Sequence, residues 1–412
     1  MLKSIVIPLS VTSIGEFAFE DCPGLSSIAI PSCVITIGDQ AFALCKNLTS
    51  ITVDQANPGF ESTDGVLFDK SGTMLIQMPC GRIECYSIPG TVTTLQSKAF
   101  YACDKLTDIT IPSSVTAIQD NAFIGCSSLV NIHLPSSIIS IGNRAFFRCL
   151  KLKELSVPNG VAVIGAEAFR GCNNLTSIHI PPSAASIGAY AFANCNKVSS
   201  IDIPAAVMEI GTGALGQCMD LMSITVDPAN KNFESVGGVL FNKSGTVLTQ
   251  MPCGLTGDYS ISPIATTVAS EAFMACQLTT ISIPDTRTSI SDHEFAQACR
   301  LKAISIPSSI VSIGIRAFDK CDWLRSITIP PSVTSIDSGA FYYTDLRTVD
   351  MQSKIPPTLA QGVFEGVSFL GAILRCAGAQ DSSMTMPSSP RAEMIASPFL
   401  PEIDMQSRPV TI

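Results

Sequence analysis

Charge, histidine and long apolar runs are all scarce in this chain of 412 residues. Charged side chains make up 14%, and 25 basic against 34 acidic residues leave a formal net charge of −9. The basic residues are scattered, with no block of like charges. A nucleic-acid surface needs clustered Lys and Arg, so nucleic acid is not an expected partner. No apolar run reaches the roughly 18 residues of a membrane-spanning helix. The longest candidate, around Val367–Leu374, is far too short. The start, Met1-Leu-Lys-Ser-Ile-Val-Ile-Pro8, has no basic region, apolar stretch and small-residue cleavage site of a secretory leader. It reads as the strand of a repeat already under way. The expectation is an intracellular chain or one whose natural start lies upstream. C-x-x-C, G-x-S-x-G and the P-loop pattern are absent, and carboxylates are too dispersed to nominate an acid/base pair.

What fills the chain instead is a 23-residue unit, L-x-x-I-x-I-P-x-x-V-x-x-I-G-x-x-A-F-x-x-C. One copy runs Leu129, Ile132, Leu134, Pro135, Ile138, Ile141, Gly142, Ala145, Phe146, Cys149. Its bulky position recurs from Phe19 and Phe42 through Phe100, Phe123, Phe146, Phe169, Phe192 and Leu215 to Phe364. A fixed period of this length specifies a solenoid, whose core grows with coil number. That explains why 46% hydrophobic residues coexist with so few charges. Within the unit, L-x-x-I-x-I alternates as a short strand. Pro ends it because it cannot donate to a ladder. V-x-x-I-G supplies a second apolar pair and a turn glycine, and A-F-x-x-C closes the coil with a large plug and a small one.

The spacing twice stretches to 58 residues, between Phe42 and Phe100 and between Leu215 and Phe273. The two inserts, about 54–88 and 227–261, match one another, as in Gly65-Val-Leu-Phe-Asp-Lys-Ser-Gly72 and Gly238-Val-Leu-Phe-Asn-Lys-Ser-Gly245. Each is expected to form a β-hairpin at one edge of the solenoid, with Gly supplying a positive φ. The fold expected is thus a β-rich repeat solenoid over 1–370, with about thirteen coils and two hairpin insertions. A disordered Pro/Ser/Met-rich tail is expected over 371–412.

Eleven of the sixteen cysteines (Cys22, Cys45, Cys103, Cys126, Cys149, Cys172, Cys195, Cys218, Cys276, Cys299 and Cys321) fall in one column after Phe. They are expected to be buried free thiols acting as small hydrophobes. Cys80 and Cys253 hold equivalent insert positions, and Cys85 lies close enough in sequence to pair with Cys80. His133 and His179 share one exposed column two coils apart, about 10 Å at strand spacing, too far to share a metal. Gly211-Thr-Gly-Ala-Leu-Gly216 spells a dinucleotide fingerprint, but it aligns with the repeat and needs no nucleotide. No metal and no cofactor is expected.

The outward residues of the L-x-x-I-x-I strand form two columns. Most are Ser or Thr. The stretch that departs furthest is Asp108, Thr110, Asn131, His133, Glu154, Ser156, Ser177, His179, Ser200 and Asp202. These ten are the candidate binding face, for a protein or a glycan.

The I-P-x-x-V-x-x-I-G-x-x-A-F-x-x-C unit, interrupted by G-V-L-F-[DN]-K-S-G-T, resembles the BspA-type leucine-rich repeat proteins over roughly residues 2 to 368. The resemblance implies an atypical leucine-rich repeat without the Asn ladder, and an adhesin or protein-binding scaffold on a cell surface. It carries no shared catalytic residues. The expectation is a non-enzymatic interaction scaffold; the alternative is the repeat sensor arm of a larger signalling or receptor protein. Abundant free thiols favour a reducing, cytoplasmic setting over the surface. Leu2, Ile5, Ile7, Val11 and Ile14 have no polar cap before them, so self-association through this first coil is expected.

Overall fold

The computed structural model describes residues 2–367 and the backbone of 373–376 and 384–385. The fold is a β-solenoid of about 15 turns at ~23-residue spacing, without a helix among the described residues. Two compact units divide it, Met1–Lys243 and Ser244–Ile412.

Each regular coil has three sides. The first is the strand read from L-x-x-I-x-I. In the N-terminal unit Ser27–Ile30 pairs in parallel with Ser50–Val53, Glu154–Ser156 with Ser177–His179, and Ser200–Ile203 with Ser223–Val226. In these pairs the register is 23 residues, so identical columns stack. The second side is a two-residue strand, running Ala117–Ile118, Ser140–Ile141, Val163–Ile164, Ser186–Ile187, Glu209–Ile210. In the C-terminal unit the same two sides appear as Thr256–Ser260, Gln277–Ser282, Ala303–Ser305 and as Ser289–Ile290, Ser312–Ile313, Ser335–Ile336, Thr358–Leu359. Parallel in-register pairing accounts for the period: a one-residue slip would turn every Ile outward.

The third side holds no strand, yet its backbone is fully used. Arg144 and Arg148 both adopt left-handed φ, +54° and +59°. The same pair of positions is left-handed in other coils, as at Tyr190 and Asn194 or Arg316 and Lys320. Such a conformation costs a non-glycine residue about 1 kcal/mol or more. The return is a second inter-coil ladder: the N–H groups of Arg144, Phe146 and Arg148 reach the carbonyls of Ala166, Ala168 and Arg170 at 2.8, 2.7 and 2.8 Å. The intervening N–H of Phe147 closes a turn onto the Arg144 carbonyl at 3.1 Å.

Inside these sides the Phe column is buried and stacked. Phe123, Phe146, Phe169 and Phe192 follow one another at centroid separations of 5.2, 5.1 and 5.4 Å, with planes within 9°. Phe19 and Phe364 are half-buried.

Several sequence expectations are corrected. The column glycine is not a turn residue: Gly142, Gly165, Gly188 and Gly211 lack a positive φ. They are small because the backbone of the preceding coil lies against them; a Cβ on Gly165 would sit 2.5 Å from the carbonyl carbon of Gly142. The inserts do more than add an edge hairpin. Val66–Asp69 pairs antiparallel with Met74–Gln77 across a turn where Gly72 is left-handed, which is the expected hairpin, and also with Phe60–Thr63 across Asp64 and Gly65, both left-handed. Met74–Gln77 then pairs in parallel with Thr94–Leu95, and Glu84–Ser87 with Leu106–Thr110, so the insert completes a coil of its own. In the second insert, Phe233–Val236 and Val239–Asn242 form a hairpin within the N-terminal unit. Val247–Gln250 opens the C-terminal unit by pairing with Thr267–Val268. Residues 2–8 form no strand; the first is Ser13–Ile14, paired with Thr36–Ile37. Cys299 leaves its column and is exposed, because three residues rather than two lie between it and Phe295; Ala298 is buried in its place. In the expected tail, Ile373–Cys376 runs parallel to Thr348–Met351; the remaining residues of that stretch, apart from the strand Met384–Thr385, lie outside the described residues.

Candidate functional site: the exposed strand face

Alternation decides which side chains look outward. In Glu154–Ser156 and Ser177–His179 the central Leu155 and Ile178 are buried, and their neighbours point away from the core. The structure brings all ten candidate residues onto this one face of the N-terminal unit. Asp108, Asn131, Glu154, Ser177 and Ser200 make one column, and Thr110, His133, Ser156, His179 and Asp202 the other. Nine are exposed and Asp108 is half-buried. Parallel pairing sets Asp108 beside Asn131, Thr110 beside His133, Glu154 beside Ser177, and Ser156 beside His179. Neighbouring members are about 4.8 Å apart along each column.

Two contacts tie the ends of this strip. Asn131 Nδ2 donates to Asp108 Oδ1 at 2.7 Å, and the Thr225 hydroxyl donates to Asp202 Oδ1. Between them, the side chains of His133, Glu154 and His179 make no hydrogen bond or ion pair within the described residues. Their polar ends are free for a ligand. The arrangement is a ribbon rather than a pocket. It offers two imidazoles, a carboxylate and several hydroxyls in a line, suited to an extended partner. No group of three His, Cys, Asp or Glu that could hold a metal gathers among the described residues.

The sequence reading overlooked a second polar cluster, on the turn side. Glu167 accepts from Arg144 at 2.6 and 2.9 Å and from Arg170 at 3.0 Å, and the Arg170 guanidinium lies 5.1 Å over the Tyr190 ring. Burial works against the Glu167 carboxylate, but the two arginines outweigh it and hold its pKa below the usual range. The available signal was Arg144, Glu167 and Tyr190 at one repeat position in successive coils.

Comparison with known proteins agrees with this architecture. A search of the curated proteins finds no significant match. Among solved structures, a leucine rich cell surface protein from Faecalibacterium prausnitzii is 23% identical, with TM-score 0.56, covering 92% of this chain and 87% of its own. The pneumococcal vaccine antigen PcpA is 23% identical, with TM-score 0.59, covering 72% of this chain and 85% of its own. A leucine-rich repeat protein from Eubacterium ventriosum is 19% identical, with TM-score 0.53, covering 76% and 94%. At these identities the likeness is one of fold. The family described as BspA type leucine rich repeat region (6 copies) matches residues 1–74, 76–172, 139–256 and 251–370. The 23-residue columns, the three-sided coil and this match over most of the chain place it in one family: the protein belongs to the BspA-type leucine-rich repeat proteins.

Proposed function

We propose that this protein is a non-catalytic binding scaffold, an adhesin acting at a cell surface, which takes an extended protein or glycan ligand along the strand face from Asp108 to Asp202. The observation that carries the reading is the exposure of these columns over five successive coils, with His133, Glu154 and His179 left unpartnered. The surface location is supported by the description of the Faecalibacterium protein as a cell surface protein. Catalysis is disfavoured because the titratable groups are strung out one strand apart instead of converging on one reacting atom. The face has no aromatic anchor, so affinity comes from many small polar contacts along its length.

The test is a glycan array and a panel of extracellular-matrix proteins, probed with the full chain and with a variant carrying Asn131→Ala, His133→Ala, Glu154→Ala and His179→Ala. These side chains point to solvent, so the variant is expected to melt like the parent. A ligand that binds the parent and loses at least tenfold in affinity for the variant supports the reading. Equal binding to both overturns the assignment of this face.

A further inference from the structure

In the regular coils each thiol is anchored to a carbonyl. Cys126, Cys149, Cys172 and Cys195 donate to the carbonyls of Phe100, Phe123, Phe146 and Phe169, each in the preceding coil, at 3.1, 3.3, 3.3 and 3.4 Å. The first insert breaks this spacing. Met78 occupies the Phe position there: its N–H reaches the Ala99 carbonyl at 2.8 Å, as that of Phe100 reaches Ala122 at 3.0 Å. Regular coils put two residues between Phe and Cys, whereas Met78-Pro79-Cys80 has one. Cys80 therefore arrives early, and its sulfur lies 3.6 Å from the sulfur of Cys103 in the next coil. Both residues are buried. The Cys103 thiol donates to Cys80 and also faces the Met78 carbonyl at 3.7 Å, and Cys80 donates to the Tyr101 carbonyl at 3.3 Å.

We propose that Cys80 and Cys103 are a peroxide-sensitive dithiol that closes to a disulfide between adjacent coils. The Cys80 sulfur attacks one oxygen of hydrogen peroxide, becoming a sulfenic acid and releasing water. The Cys103 sulfur then attacks the Cys80 sulfur and expels the hydroxyl, which leaves as a second water. In balance, two thiols and one peroxide give one disulfide and two waters. The bond donated by Cys103 lowers the Cys80 pKa against the opposing effect of burial, favouring the attacking thiolate. The two sulfurs already lie 3.6 Å apart, so only a short closing movement separates them from the about 2.0 Å of a disulfide. Rotation of the two side chains then brings the sulfurs together. Peroxide, small and uncharged, reaches the site when the corner opens locally. The second insert repeats the Met251-Pro252-Cys253 corner, with Cys276 at the same distance in sequence. Its thiol likewise donates to a carbonyl 21 residues on, that of Met274, at 3.4 Å.

The experiment treats the reduced full chain with hydrogen peroxide, alkylates the remaining thiols in acid, and maps the peptides by mass spectrometry. Expected is a peptide pair linked through Cys80 and Cys103 while Cys126 and Cys149 remain alkylated thiols. In Cys103→Ser the sulfenic acid should persist at Cys80 and be trapped by dimedone. Cys126→Ser should leave the cross-link intact. Recovery of Cys80 and Cys103 as thiols after the exposed Cys85 and Cys299 have oxidised would overturn the proposal, as would a link from Cys80 to Cys85. Should Cys103→Ser fail to fold, the cross-link map of the unsubstituted chain decides alone.

Discussion

Cys149 donates its thiol hydrogen to the carbonyl oxygen of Phe123, one coil earlier, at 3.3 Å. That carbonyl already accepts the N–H of Cys126 at 3.2 Å, so the thiol fills its second lone pair. Found at Cys45 and then repeated from Cys126 to Cys218, the contact turns a column of small apolar residues into an inter-coil hydrogen-bond ladder. A buried thiol is both small enough and polar enough for this place; alanine lacks the donor and serine is more costly to desolvate.

The ladder makes stability sensitive to alkali. Burial pushes the Cys172 thiol up to about 12 and Cys45 up to about 11, from an ordinary 9.0. Since the folded value is the higher one, the contribution is complete below the unfolded pKa. It is lost as pH rises from about 9 through the raised values, because the unfolded chain ionises first. Denaturant midpoints should fall steeply between about pH 9 and 11, and Cys172→Ala should flatten the slope. A midpoint independent of pH across that range would contradict the ladder.

The Phe stack should dominate local stability. Phe146 is buried between Phe123 and Phe169, and truncation to alanine leaves a cavity no neighbour can fill. Phe146→Ala should cost about 3–5 kcal/mol. Because coils couple chiefly to their neighbours, calorimetry should then resolve more than one transition. A single unshifted transition would show the inward face to be misassigned.

Two columns depart together in the C-terminal unit. Arg287 replaces the Val of P-x-x-V and Glu294 the Ala of A-F, and both are buried. Their side chains bond at 2.6 and 2.7 Å, Arg287 also donates to the Ser289 carbonyl at 2.8 Å, and its Nε is left without a partner. Glu294→Ala alone strands a buried guanidinium and should cost about 3–5 kcal/mol. The pair Arg287→Val with Glu294→Ala restores the repeat and should equal or exceed the parent in stability. A double-mutant cycle by chemical denaturation checks this, and additive losses would deny the coupling.

Glycine at the coil junction should be irreplaceable by alanine, although alanine restricts the unfolded chain more. A Cβ at Gly165 meets Gly142 carbon at 2.5 Å and Asn143 nitrogen at 2.6 Å, whereas at Gly15 nothing lies within 4 Å. Gly165→Ala should lose about 1–3 kcal/mol by overpacking, and Gly15→Ala should be nearly neutral. Equal melting of the two variants would remove the close-approach argument.

The period alone determined the solenoid, the inward Phe and Ile columns and the outward strand face, because a 23-residue repeat must bury the same positions in every coil. The ten face residues were legible for the same reason: alternation along a strand sends neighbours of buried Leu155 and Ile178 outward. Tertiary structure decided what depends on distances between coils. Gly142 and Gly165 are required by a neighbouring backbone rather than by their own φ, which no single coil reveals. The thiol ladder needs the Phe carbonyl of the preceding coil, and the early arrival of Cys80 matters only because Cys103 stacks beside it. Arg287 and Glu294 read as two separate blemishes until the coil folds and the columns of Val and Ala face each other across its core. Columns follow from sequence period; the contacts between them follow from the third dimension, where register, backbone approach and desolvation act together.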